Sequence, residues 1–221
     1  MSNFEPEDIV KNKVLPIMSV TTKIAKHKLT NPVANTRTTF EELWKDQSCV
    51  IIFLRRWGWL YCRLVAREIS AIQPILKQND VRLIGVGFEE LGMEMFVKLK
   101  YFDGDVFIDE NRVSFRALDF KRMTYCEAIP ALFSSAARAA KATARALGLS
   151  SNLDGDLLQN GGCLIVDKGG GNDPLLHFIQ KSPADRVSNS EVLKILGIDS
   201  AVPETKPFIE FVNVEKEWKD N

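Results

Sequence analysis

Cys49-Val50-Ile51-Ile52-Phe53-Leu54 is apolar at every position, which predicts a strand buried on both faces inside a parallel sheet. Beyond it, Leu64, Val65, Ile69, Ile72 and Leu76 recur at helical spacing and predict a helix over Tyr61–Leu76. The polar turn Gln78-Asn79-Asp80 then leads into Val81–Val86, a second buried strand, and the resulting βαβ unit should cross over right-handedly. A helix is expected over Glu90–Leu99, and Asp105-Val106-Phe107-Ile108-Asp109 reads as a third short strand ending in an acidic turn. Ala131–Leu147 is a helix by intrinsic propensity, stopped by Gly148. Cys163–Val166 and Leu175–Ile179 flank a glycine-rich stretch, Gly169 to Asp173, and predict an antiparallel hairpin. Ser190-Glu191-Val192-Leu193 opens a closing helix that ends at Gly197. Near the start, Val20–Ile24 reads as an edge strand, and Thr39 with Glu41 and Glu42 caps a short helix in which Trp44 packs.

This order predicts an α/β chain with a thioredoxin-like fold, a central mixed sheet flanked by helices, and an inserted Ala-rich helical segment. The domain is expected to span residues 21–200, between an N-terminal extension (1–20) and a C-terminal tail (201–221). On the inserted helix, Arg138, Lys141 and Arg145 share one face, which reads either as a solvated stripe or as a surface for an acidic partner.

The 29 basic and 29 acidic side chains cancel, so no global field draws in nucleic acid or an anionic surface, and partners must be selected locally. No apolar run approaches the roughly 20 residues of a transmembrane helix, and the acidic start does not look like a signal peptide. A cytoplasmic location is the expectation. The four cysteines, Cys49, Cys62, Cys126 and Cys163, show no metal-ligand spacing and should be thiols in a reducing compartment.

The loop leaving the carboxyl end of a parallel strand is the usual functional edge, and here it is Arg55-Arg56-Trp57-Gly58-Trp59-Leu60-Tyr61-Cys62-Arg63. A cysteine in the first turn of a helix meets unpaired backbone N–H groups and the positive dipole end. With Arg56 and Arg63 close in sequence, these favour the ionised sulfur, the form that attacks. Cys62 is therefore the candidate nucleophile, with Arg56 and Arg63 as stabilisers. The other reading is that Cys62 simply packs and that Trp57, Trp59 and Tyr61 form an aromatic patch for a partner or lipid, on a module that has lost turnover. His177, in an alternating strand pattern, and His27, in a polar segment, read as structural. Gly85-Val86-Gly87-Phe88 stops short of a dinucleotide fingerprint, so no bound cofactor is predicted.

Phe53-Leu54-Arg55-Arg56-Trp57-Gly58, the Val81-to-Gly87 strand, Phe107-Ile108-Asp109-Glu110 and Phe120-Lys121-Arg122 together resemble the peroxiredoxin-like family of the alkyl hydroperoxide reductase/thiol-specific antioxidant group. Three further blocks continue the resemblance in order to Ile198: Gly155-Asp156-Leu157-Leu158-Gln159-Asn160-Gly161-Gly162, then Leu175 to Pro183, then Ile195-Leu196-Gly197-Ile198. The resemblance implies reduction of a small peroxide or lipid endoperoxide through Cys62, lined by Trp57, Gly58, Trp59 and Tyr61. It also implies a thioredoxin- or glutathione-type reductant, with NADPH as an indirect electron source through a separate reductase. The chain departs from the family's Cys-x-x-Cys pattern in carrying Trp59 at the first position. Peroxiredoxins place the attacking cysteine at the second position with threonine at the first, so Cys62 keeps the attacking place. A sulfenic acid on it would need a resolving thiol, from Cys126, Cys163 or another molecule. Gly161 and Gly162 stand where thioredoxins carry a cis-proline, as a tight turn or as a place for close approach of substrate.

Overall fold

The structure is a computed structural model that describes residues 19–208 apart from 152–155, 157 and 172. The N-terminal extension, but for its last two residues, and the end of the tail lie outside the described residues. The first element corrects the sequence reading. Val20–Ile24 is a short helix, α1, because the Ser19 hydroxyl accepts the Thr22 amide and starts a helical turn, and the β-branched run then buries Thr21 and Ile24. The sheet edge is formed instead by a hairpin, β1 (Lys28–Asn31) and β2 (Thr36–Thr39), joined through Asn35 in the left-handed region. Its polar, barely alternating sequence gives no strand signal.

Thr39 opens α2 (Phe40–Trp44) with the expected capping box, Glu42 reaching back to the Thr39 amide. β3 (Ser48–Phe53) follows, then α3 (Leu60–Ser70), α4 (Gln73–Gln78) and β4 (Val81–Gly87). The single helix expected over Tyr61–Leu76 is therefore two, broken at Ala71-Ile72, because Pro74 has no N–H and is accommodated in the first turn of a new helix. α5 (Met93–Lys98), β5 (Asp105–Ile108) and α6 (Val113–Ala117) come next. Buried Asp109 ends β5 and accepts the Val113 and Ser114 amides at 3.1 and 2.8 Å, satisfying the first turn of α6.

The inserted segment is also two helices, α7 (Tyr125–Leu132) and α8 (Ser135–Ala146), since the Ser134 hydroxyl takes the Ala137 amide and starts a new helix. β6 (Gly162–Val166), β7 (Leu176–Ile179) and α9 (Asn189–Ile195) complete the described chain. Gly148 and Gly197 end their helices at φ +73° and +69°, as glycine uniquely allows at little cost.

The seven strands lie in the order β2-β1-β5-β4-β3-β6-β7; β3, β4 and β5 are parallel, and the flanking strands antiparallel. β3 lies between β4 and β6 and is buried on both faces. Val50, Ile52 and Leu54 join one core with residues of α3, α4, α8 and α9, while Cys49, Ile51 and Phe53 join a second core with residues of α1, α2 and α6. Each large aliphatic side chain so buried contributes about 1.5–3 kcal/mol, so the unbroken apolar run follows from having a core on both sides. The tail is exposed over most of its described length and is anchored at its last described residue. Phe208 is buried, stacks on Tyr101 with ring centroids 4.4 Å apart, and its amide donates to the Leu147 carbonyl.

Candidate active site

β3 carries the chain to the carboxyl edge of the parallel strands, and the Leu54 amide still bonds the Val86 carbonyl at 2.8 Å before the chain turns. The turn is held by Trp57. Its indole is 1% exposed, packs on Phe96 at 5.0 Å, and donates to the Glu89 carbonyl at 2.5 Å. β4 makes room for it through Gly87, where an added Cβ would lie 2.2 Å from the ring. Gly85 faces Phe102 in the same way, so these glycines serve aromatic packing rather than a phosphate cradle.

Trp59 is the residue before α3, and Cys62 is the third residue of the helix, placing its sulfur in the first turn. Cys62 is 7% exposed and lines a crevice of about 30 Å³, enough to admit water. Leu54, Tyr61, Gly162, Cys163, Phe178 and Gln180 are among its walls. Arg186 and Glu68 also line it and form a two-pronged ion pair at 2.5 and 2.9 Å.

Two buried guanidinium groups, those of Arg55 (2% exposed) and Arg56 (1%), lie over the Trp59 ring, each 5.1 Å from its centroid. Arg56 also acts electrostatically on Glu89, whose carboxyl burial pushes up while Arg56 and Arg112 oppose the rise. Arg112 and Arg122 both grip Asp156; burial works against that carboxylate, but the Leu158 amide and the two arginines hold it below its ordinary range. Arg55 differs. Its Nη1 and Nη2, and the Trp59 Nε1, are buried donors without an acceptor among the described residues. Burying such donors unpaired costs free energy. The sequence reading passes over Arg55 as a site residue; its signal is the Arg-Arg doublet at the carboxyl end of a buried strand.

The remaining candidates sort by geometry. Arg63 lies about 100° round the helix from Cys62. Its guanidinium donates to the Trp57 carbonyl (3.2 Å) and to Ser150 (2.5 and 3.1 Å), and lies 4.3 Å from the centre of the Tyr101 ring. Arg63 thus ties the turn to the segment after α8. Trp57, Trp59 and Tyr61 are 1%, 8% and 6% exposed. The aromatic surface patch of the alternative reading is therefore corrected to core, because each ring is covered by a neighbouring element. Tyr61 donates to the Ala137 carbonyl of α8, and burial pushes its phenol up, with Arg55 opposing.

Gly58 is buried in the turn. Cβ atoms at Gly161 and Gly162 would lie 2.0 and 2.1 Å from the Phe53 and Phe178 carbonyl oxygens, so both glycines answer to the close approach of neighbouring backbone. Gly161→Ala should consequently lower stability by about 3 kcal/mol or more, measured by urea unfolding, since a backbone carbonyl cannot move aside as a side chain can. Cys163 shares the crevice with Cys62 but is fully enclosed, and burial, with a smaller contribution from Glu191, pushes its thiol up to about 12. Cys126 is exposed on α7, in a separate groove. Cys49 donates to the Leu43 carbonyl and is pushed up to about 12 by burial. His177 donates from Nε2 to the Leu118 carbonyl, and burial lowers its basicity; it does not line the crevice.

The fold, the strand-loop-helix cysteine and a sequence match define the class: residues 68–182 match the AhpC/TSA antioxidant enzyme family model, and the chain belongs to that peroxiredoxin-like family. Among individual proteins it is similar to the prostamide/prostaglandin F synthase of Homo sapiens, with 41% identity over 184 residues covering 83% of this chain and 90% of that protein. The Danio rerio enzyme of the same name is 40% identical over 181 residues, 82% of this chain and 90% of its own length. In fold, it is similar to peroxidoxin BcpB from Mycobacterium tuberculosis (TM-score 0.53, 12% identity, 81% of this chain and 95% of that one). The bacterioferritin comigratory protein of Xanthomonas campestris is similar to nearly the same degree (TM-score 0.52, 12% identity, 82% and 95%).

Proposed function

We propose that the protein is a thiol-dependent oxidoreductase that reduces a hydroperoxide or lipid endoperoxide through Cys62. The observation that carries this reading is the position of Cys62 in the first turn of α3, opening on a crevice at the carboxyl edge of β3. The helix end supplies positive potential, and buried Arg55 and Arg56 sit on the residue immediately before the helix. In the chemical step the sulfur lone pair attacks the nearer peroxide oxygen. An S–O bond forms, the O–O bond breaks, and the departing alkoxide takes a proton. A hydroperoxide leaves an alcohol and a sulfenic acid on Cys62; an endoperoxide leaves its second oxygen as hydroxyl and the first bound to sulfur as an ester. The sulfur is oxidised and the peroxide reduced by two electrons.

Return to the thiol requires a second thiolate to attack the oxidised sulfur: an S–S bond forms, the S–O bond breaks and the oxygen leaves as water or, from the ester, as the product alcohol, and a third thiolate then cleaves the disulfide to free Cys62. Burial, which pushes the Cys163 thiol up to about 12, disfavours its thiolate at neutral pH. The resolving thiol is accordingly assigned to an external thioredoxin- or glutathione-type reductant, fed with NADPH electrons by its own reductase. Prostaglandin endoperoxides, the substrates suggested by the similar synthases, are the first lipids to try.

The test is trapping of sulfenic acid after one equivalent of cumene hydroperoxide, with mapping by mass spectrometry. Modification of Cys62 is expected, and no disulfide between Cys62 and Cys163. Absence of any oxygen adduct on Cys62 while peroxide persists would sink the reading.

A further inference from the structure

Among the described residues, seven large apolar side chains are exposed, and three of them fall within one stretch of nine residues. Tyr125, Ile129 and Phe133 are 64%, 55% and 71% exposed and follow one another at four-residue spacing along α7 and onto its carboxyl cap. That spacing puts them in one stripe on the outer face of the helix. Buried Ala128, about 100° round the helix from Ile129, anchors one flank of the stripe.

The charge around the stripe is one-sided. Between Lys121 and Ala146 the chain carries Lys121, Arg122, Arg138, Lys141 and Arg145 against the single acid Glu127, in a protein whose total charges cancel; Arg122 is paired with Asp156 and Asp119 stands beside the groove, so the excess rests on Lys121 and the three cations of α8. The five cations and Glu127 are all exposed. Glu127 is folded back on the Thr124 amide and hydroxyl as a helix cap. On α8 the three cations recur at helical spacing beside the buried row Ala137, Ala140 and Ala144. Arg138 joins the two features, since its guanidinium donates to the Phe133 carbonyl at 2.5 Å.

Exposed aromatic and aliphatic side chains bordered by cations are what an anionic bilayer surface selects: the rings enter the interface and the cations meet lipid phosphates and carboxylates. We infer that the α7–α8 face is a peripheral docking surface for an anionic phospholipid membrane. No helix of the described residues is long and apolar enough to cross a membrane. The face also leads toward the crevice. α7 walls a groove of about 920 Å³ with Lys121, Arg122, Asn160 and Lys181, and Gln180 lines both this groove and the Cys62 crevice.

The inference does not rest on the redox reading, and its test contains no peroxide. The full chain is sedimented with vesicles of phosphatidylcholine alone and of phosphatidylcholine mixed with phosphatidylserine. Binding to the mixed vesicles is expected, weakening with added salt. Arg138→Gln, Lys141→Gln and Arg145→Gln should each lower the partition coefficient about fivefold. Ile129→Ser with Phe133→Ser should lower it at least about tenfold, and Cys62→Ser should not change it. These surface variants should keep the wild-type circular dichroism and unfolding midpoint. Equal recovery with both vesicle types, or binding unaffected by these substitutions, would overturn the inference. So would a dimer dispersed by the Ile129/Phe133 double variant together with no vesicle binding.

Discussion

Cys62→Ser should reduce hydroperoxide turnover at least about a thousandfold, a loss of some 4 kcal/mol of transition-state stabilisation, while the protein stays folded. The hydroxyl is smaller and less polarisable than the thiol and does not ionise near neutral pH, so it cannot attack an O–O bond. The first turn of α3 would keep its shape, because the substitution alters one atom in a side chain already 7% exposed. Initial rates with cumene hydroperoxide and a thioredoxin or glutathione recycling system measure the effect. A variant that kept more than a tenth of wild-type turnover would move the chemistry away from Cys62. Among the other cysteines, Cys49 and Cys163 are buried with thiols pushed up to about 12, so such a result would direct attention to exposed Cys126.

The second large effect concerns Trp59. The indole is 8% exposed, packs on Tyr61 at 5.8 Å, and lies beneath the Arg55 and Arg56 guanidinium groups. Trp59→Ala should destabilise the fold by about 3–5 kcal/mol, which for a domain of this size lowers the midpoint by about 10 °C. The loss combines the vacated volume with two buried cations deprived of the ring face they rest on. Trp59→Cys should lose similar stability, yet it places a second thiol at the cap of α3, three residues before Cys62. Under mild oxidation the introduced thiol should form a disulfide with Cys62 and accept electrons from a dithiol, which the alanine variant should not. Paired unfolding and turnover assays separate the two consequences. A fully stable Trp59→Ala would show that the arginines do not depend on the ring, and a Trp59→Cys variant without the disulfide would show that the turn cannot bring the sulfurs together.

Burial of Trp57, Trp59 and Tyr61 also removes the basis of the alternative reading from the sequence, in which these rings meet a partner. In their place the structure exposes Tyr125, Ile129 and Phe133. α7 shows why this pattern is hard to see in the sequence. Only Ala131 and Leu132 of α7 fall inside the Ala-rich stretch expected as one helix, which Ser134 restarts as α8, whereas Tyr125 and Ile129 precede that stretch. A stripe along α7 is legible only once its boundary with α8 is known.

The central strands, the βαβ unit, the β6–β7 hairpin and the place of Cys62 in the first turn of α3 were determined by the sequence alone. Their signals are local: an unbroken apolar run, helical periodicity, glycine punctuation and a cysteine a fixed number of residues past a strand. Tertiary structure alone decided the β1–β2 edge, the commitment of Arg63 to Ser150 and Tyr101, and the burial of Arg55 donors without an acceptor among the described residues. It also decided that Gly161 and Gly162 yield to the Phe53 and Phe178 carbonyls and that Cys163 faces the crevice as a suppressed thiol. These outcomes depend on which distant groups come within a few ångströms and how much water they exclude, and a residue's neighbours along the chain carry no record of either.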